Sequence, residues 1–207
     1  MITSKDVVRS YGDAMAQAFR GIAQTDIERA VDLLFDAWKR GAAVYLMGNG
    51  GSASTASHFA CDLAKLTIVD GRKRLRVMSL TDNIPLVSAW TNDDGFGSIF
   101  AEQLDPWFKP GDVLVGISVH GGSGSGNAGA WSQNLGRAVK LAKERGGKVL
   151  GFSGFGGGML GEMADVCLTV PADGEPLGTP LVESIHVALH HMLCITLKLR
   201  IAEEGAA

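Results

Sequence analysis

The sequence predicts an α/β fold: a doubly wound, five-stranded parallel sheet with helices on both faces and a helical extension at the N-terminus. Three observations predict it. Five short, largely apolar runs recur along the chain, the first of them continuous, the pattern of strands buried on both faces. Segments of helical period separate them. Glycine clusters then follow some of the runs, at Gly48-Asn49-Gly50-Gly51, Gly121 to Gly129 and Gly154 to Gly161. With 28 glycines in 207 residues, about twice the usual ~7% share, these loops are places where backbone must come close to something.

Taken in order, the chain opens with two helices. Val7, Tyr11, Met15, Ala18 and Ile22 recur at helical spacing, and Thr25-Asp26-Ile27-Glu28 has the form of a capping box. Ile27, Ala30, Val31, Leu34 and Trp38 continue one stripe until Gly41, a natural helix stop. Met15, Phe19, Phe35 and Trp38 widen the apolar surface of these helices beyond a single stripe, which suggests self-association. The first strand is Ala42-Ala43-Val44-Tyr45-Leu46-Met47, followed by runs at Leu75 to Leu80, Val113 to Ile117, Val149 to Phe152 and Val166 to Val170. Helices are expected between them at Thr55 to Lys65, Asn83 to Trp90, Leu135 to Arg145 and Gly158 to Met163. Pro110-Gly111-Asp112 marks a turn before the third strand. A last helix, from about Leu181 to Ile201, is rich in Leu, Ile, Val and His.

Length and composition narrow the function classes. A chain of 207 residues, 46% apolar, is long enough for one full core. The expectation is a single domain over 1–207, with N-terminal helices at 1–41 and the sheet core and C-terminal helix at 42–207. Against 22 acidic residues stand 19 basic ones, a net charge of −3, so no electrostatic footprint for nucleic acid is present. No apolar run approaches the roughly 18 residues of a membrane span, and Met1 to Asp6 lacks the apolar region of a secretory signal. Cys61, Cys167 and Cys194 are odd in number and widely spaced, which reads as buried thiols in a reducing, cytoplasmic setting.

In a sheet of this kind ligands bind beyond the carboxyl ends of the strands, at the topological switch point. Two Gly/Ser loops are predicted to converge there. Gly48-Asn49-Gly50-Gly51-Ser52-Ala53-Ser54 follows the first strand, and Ser118-Val119-His120-Gly121-Gly122-Ser123 opens the loop after the third. Small residues expose backbone N–H groups, and a helix N-terminus adds partial positive charge, which suits a phosphate. Neither loop holds a lysine, so hydroxyls and amides would carry the anion. His58 and Asp62 stand four apart on one predicted helix and share a face, as two ligands of one cation would. The last helix adds Glu183, His186, His190 and His191, with three of the chain's five histidines inside six residues. Buried structural histidines remain the alternative for that group.

These residues resemble the SIS-domain phosphoheptose isomerases, whose fold is flavodoxin-like. The resemblance runs from the N-terminal helices to about Arg200. It is carried by Gly48-Asn49-Gly50-Gly51-Ser52-Ala53, His58-Phe59-Ala60 with Asp62, Thr81-Asp82, Asn92-Asp93 with Gly95-Phe96, Gly111-Asp112-Val113-Leu114 leading to Ile117-Ser118, and Ile185-His186 followed by His191. It implies an aldose–ketose isomerase that interconverts sedoheptulose 7-phosphate and the manno-heptose 7-phosphate through an enediol. It further implies zinc held by His58, Asp62, Glu183 and His191, with Asp62 and His191 as general base and acid. Substrate contacts are implied for Asn49, Gly50, Gly51, Ser52, Asn92, Asp93, Ser118, His120, Ser123 and Glu183, and a cytoplasmic homotetramer for the assembly. The alternatives are a non-catalytic sugar-phosphate sensor or protein-binding paralogue, and an isomerase of another sugar phosphate.

The chain departs from the family pattern at three of these places. Asp62 stands where the family has Glu, Glu183 where it has Gln, and His120 in a loop that elsewhere carries more hydroxyls. Spacing adds a further expectation. Glu183 and His191 are separated by about 12 Å of rise and roughly 80° of turn in a continuous helix, too far to share one ion easily. Either Glu183 precedes the helix proper, or the site is completed by another subunit's terminal helix.

Overall fold

Five strands form one sheet: β1 (Ala43–Gly48), β2 (Arg76–Ser79), β3 (Val113–Ile117), β4 (Lys148–Gly154) and β5 (Val166–Val170). All neighbours are parallel, in the order β2-β1-β3-β4-β5, with Ala43 opposite Arg76 and Val44 opposite Val113. The computed structural model describes residues 3–122, 132–172, 174 and 176–204. The expected strands and their order of succession are all present, and the sheet is doubly wound.

Side-chain alternation along the strands builds two cores. Val44, Leu46, Val113, Val115 and Ile117 point to the face covered by α1 (Ser4–Arg20), α2 (Gln24–Arg40), α3 (Gly51–Lys65) and α8 (Gly178–Glu203). Ala43, Tyr45, Met47 and Leu114 point to the other face, under α5 (Ala101–Leu104), α6 (Gln133–Glu144) and α7 (Gly158–Met163). A further helix, α4 (Ile84–Asp94), follows β2; Asn83 caps it by accepting from Leu86 N.

Three local expectations need correction. The strand β2 is not buried on both faces: Arg76 and Met78 are exposed, because β2 forms the edge of the sheet. The α2 helix starts at Gln24, two residues before the position that Thr25 as a cap would require. Its cap position, Ala23, supplies no side-chain hydrogen bond, and buried Ile22 makes the turn into it. A capping box does form, but at Thr3 and Asp6 of α1. On the wide apolar faces of α1 and α2, Phe35 and Trp38 are buried and stacked within the chain, while Met15 and Phe19 are only partly buried against the same core. Finally, Cys61 is exposed and Cys167 only partly buried, so Cys194 alone matches the expected buried thiol.

Gly41 ends α2 in the left-handed conformation, as expected. At the other end of the chain α8 is apolar enough, by length and composition, to cross a membrane. Half of its most apolar stretch is buried against α2, α3 and the sheet, which accounts for that composition as core.

Candidate active site

The strands β1 and β3 are neighbours, but the helices that follow them lie on opposite faces, so a crevice opens between their carboxyl ends. A cleft of about 450 Å³ occupies it, lined among others by Asn49, Ser52, Ser118, His120, Ser132 and Glu183. The first turn of α3 contributes buried Ser52 and the backbone N–H groups of a helix start. Ser118 Oγ accepts a hydrogen bond from Gly122 N at 3.0 Å, which ties the second loop into a turn. The His120 ring stacks on Phe155 at 4.5 Å between centroids.

Two close approaches shape this cleft. A Cβ on Gly51 would lie 2.2 Å from Glu183 Oε1, so only glycine lets the α8 carboxylate reach the start of α3. Asn49 is fixed from the far side by Asn134, which is fully buried at the start of α6. Asn49 Nδ2 donates to Asn134 Oδ1 at 3.1 Å, and Asn134 Nδ2 donates to Asn49 Oδ1 at 2.8 Å.

A second group lies further along the seam between α3 and α8. His58, Asp62, His190 and His191 each offer a donor atom, and these atoms lie within 4.8 Å of one another. Asp62 Oδ2 is 3.6 Å from His58 Nε2, 3.4 Å from His190 Nδ1 and 3.3 Å from His191 Nε2. The two Nε2 atoms of His58 and His191 are 3.4 Å apart. Asp62 Oδ2 and both ring nitrogens of His190 are buried without a hydrogen-bond partner. Burial, with His191 and His58 beside it, pushes the His190 pKa down to about 3. His186 stands apart: its Nε2 donates to Ser153 O at 3.0 Å deep in the core.

The sequence-expected residues therefore divide. Asn49, Ser52, Ser118, His120 and Glu183 line the cleft, and Gly50 and Gly51 form the start of α3. His58, Asp62 and His191 meet as a group. Glu183 is not among them; it lies within α8, about two turns before His190, which is the fourth member of the group. Nor do Asn92 and Asp93 line the cleft: they sit at the exposed end of α4, where Asn92 Nδ2 donates to Asp93 Oδ1 at 2.7 Å. Ser123 lies outside the described residues. His58, Asp62 and His191 come together within one chain, so its own α8 stands where another subunit's terminal helix was expected. Asn134 and Phe155 are the residues that sequence reading missed. The helical spacing of α6 gave no hint of Asn134, whereas the histidine pair at 190–191 was a signal for His190.

The comparisons with known proteins fit this geometry. The SIS domain family matches residues 10–154. The phosphoheptose isomerase of Rhodospirillum rubrum is 35% identical over 192 residues, 92% of this chain and 95% of that protein. The chain belongs to the SIS-domain phosphoheptose isomerase family. This membership makes it, by class, an aldose–ketose sugar-phosphate isomerase. The lincomycin biosynthesis protein LmbN of Streptomyces lincolnensis is 48% identical over 193 residues, 93% of this chain and 69% of that protein. Among solved structures, a phosphoheptose isomerase from Francisella tularensis superposes with a TM-score of 0.82 at 27% identity, over 96% of this chain and all of that one (100%). The enzyme from Neisseria gonorrhoeae gives 0.78 at 29% identity, over 93% and 97%.

Proposed function

We propose that this isomerase interconverts sedoheptulose 7-phosphate and D-glycero-D-manno-heptose 7-phosphate. One observation carries the reading: the hydroxyl-lined cleft and the histidine–carboxylate group lie along one helix seam. Gly51 to His58 on α3 and Glu183 to His190 on α8 are each seven residues, about two turns and about 10 Å of rise. An extended sugar phosphate laid along that seam puts its phosphate against Ser52, Ser118 and the α3 N-terminus. Its C1–C2 end then reaches Asp62 and His191. Asn49, held by Asn134, and Glu183 face the hydroxyls between.

Isomerisation needs one group to take a proton from carbon and another to protonate oxygen as the enediol forms and collapses. In this reading Asp62, mostly enclosed, takes the proton between C1 and C2, and His191, half-exposed at the mouth, serves the oxygen. A divalent metal, zinc by donor chemistry, suits the same group. Asp62 Oδ2 and the His190 nitrogens are buried and unpartnered, and imidazole and carboxylate are zinc's ordinary ligands. When bound, zinc would supply positive charge beside the oxygen on which the enediol's charge develops. His58, Asp62 and His191 would hold it. Phosphorylated sugars are charged metabolites that do not leave the cell unaided, so the proposal sets the enzyme in the cytoplasm. The proposal includes assembly as a homotetramer.

A second reading keeps the chemistry and changes the sugar. The 48% identity to a lincomycin biosynthesis protein favours an isomerase of another sugar phosphate. Assaying the purified protein against a panel of phosphorylated aldoses and ketoses, with and without added zinc, separates the two. Turnover of the heptose pair above all others supports the first reading, a different preferred sugar phosphate the second. No turnover of any member overturns both.

A further inference from the structure

The side chain of His190 lies against the residues that would hold the metal. It is wholly inaccessible, yet neither ring nitrogen has a hydrogen-bond partner. A neutral imidazole carries one N–H donor and one acceptor, and leaving either buried and unpaired carries the full desolvation penalty of that group. The ring is also closely held. It stacks on Phe59 at 5.2 Å and 22°, and the rings of His58 and His191 meet it edge-on at 4.7 Å and 4.3 Å. Its Nδ1 faces Asp62 Oδ2, the other orphaned atom of the group, at 3.4 Å.

We propose that His190, and not Glu183, is the fourth ligand of the metal centre, so that the centre is three imidazoles and one carboxylate from a single chain. The inference rests on the metal reading given above and changes its ligand set. Ions bound tetrahedrally through bonds of about 2.0–2.1 Å hold their donors roughly 3.3–3.4 Å apart. The measured separations of 3.3, 3.4 and 3.4 Å, for Asp62–His191, Asp62–His190 and His58–His191, match that edge length. The 3.6 Å between His58 and Asp62 is close to it. An ion at the centre satisfies in one step the buried carboxylate oxygen and the buried Nδ1. Glu183 is two turns earlier on α8, with its carboxylate against Gly51 in the cleft. It therefore remains available to the substrate's hydroxyls.

The test is binding of Co²⁺ alone to metal-stripped protein, followed by calorimetry and by the visible absorption of tetrahedral cobalt. His190→Phe preserves the stacking on Phe59 and removes the donor. It should weaken cobalt binding by more than about 100-fold, beyond the loss typical of residues behind the ligands. Glu183→Ala, which removes the donor, should stay within about 3-fold of the parent. Parent-like binding in His190→Phe, or a loss of more than 100-fold in Glu183→Ala alone, overturns the assignment while leaving the metal reading standing. Absence of cobalt binding by the parent protein overturns that reading and the assignment together. Should His190→Phe fail to fold, X-ray absorption of the zinc-loaded parent decides: three imidazoles per zinc support the proposal, and two refute it.

Discussion

Asn134 and Asn49 hold each other by two reciprocal side-chain hydrogen bonds, 2.8 Å and 3.1 Å long, across the crevice between β1 and β3. Leu135 N adds a third bond to Asn134 Oδ1 at 3.0 Å, so the start of α6 fixes the rotamer of a residue in the β1 loop. The β1 loop is thereby tied to the start of α6.

Replacing Asn134 by Leu should release Asn49. The proposed effect is a rise in KM of about 10-fold with a smaller change in kcat, and a loss of about 1–3 kcal/mol of stability from the unpaired amide. Steady-state kinetics and urea unfolding of the same preparation check both.

The anion subsite has no lysine among the residues lining the cleft, so its hydroxyls matter more than usual. The Ser52→Ala/Ser118→Ala double variant should raise KM for a phosphorylated substrate by about 10–100-fold. That corresponds to about 1.4–2.7 kcal/mol for the pair, less than two full hydrogen bonds to a charged group at about 1.5–3 kcal/mol each, because backbone N–H groups still hold the anion. Binding of the unphosphorylated sugar, measured by calorimetry, should not change.

Gly121 illustrates how closely the second loop is packed. Its φ is +70°, and a Cβ there would lie 1.8 Å from the carbonyl oxygen of Gly157. Since backbone meets backbone, no side chain can move aside. Gly121→Ala should destabilise the protein by about 2–4 kcal/mol, with the left-handed φ alone contributing about 1–3. Thermal unfolding measures the loss.

Much of this arrangement was legible in the chain. Runs such as Val113 to Ile117 announced central strands because both faces are covered, and the glycine clusters marked the loops at their ends. The four-residue spacing of His58 and Asp62 fixed their shared face. What failed to show depends on contacts remote in sequence. The exposure of Met78 follows from strand order, which no local pattern encodes. The exchange of Glu183 for His190 depends on how α8 is rotated against α3, a phase set by packing of the whole helix. Asn134 meets Asn49 across 85 positions and carries no periodic signal.

Acid should destabilise the fold through His186. Burial pushes its pKa down to about 4, with the hydrogen bond to Ser153 opposing the shift. The unfolded value is about 6.5. Above that pH both states are neutral and the full stability is present. Between about 6.5 and 4 the unfolded chain takes up a proton that the folded chain refuses. Stability therefore falls by up to about 1.4 kcal/mol per pH unit, and by about 3 kcal/mol in all. Urea midpoints at pH 7 and pH 4.5 should differ less in His186→Gln than in the parent; an equal difference would assign the acid sensitivity elsewhere.

The central claim is that Asp62 moves a proton between two carbons of a sugar phosphate. The direct measurement is NMR of the aldose–ketose interconversion in deuterated water, with parent protein and with Asp62→Asn. The account predicts deuterium entering at C1 and C2 with the parent, and a loss of both turnover and exchange of at least about 1000-fold in a folded Asp62→Asn protein, in keeping with removal of a general base. Parent-like exchange in the variant would contradict it.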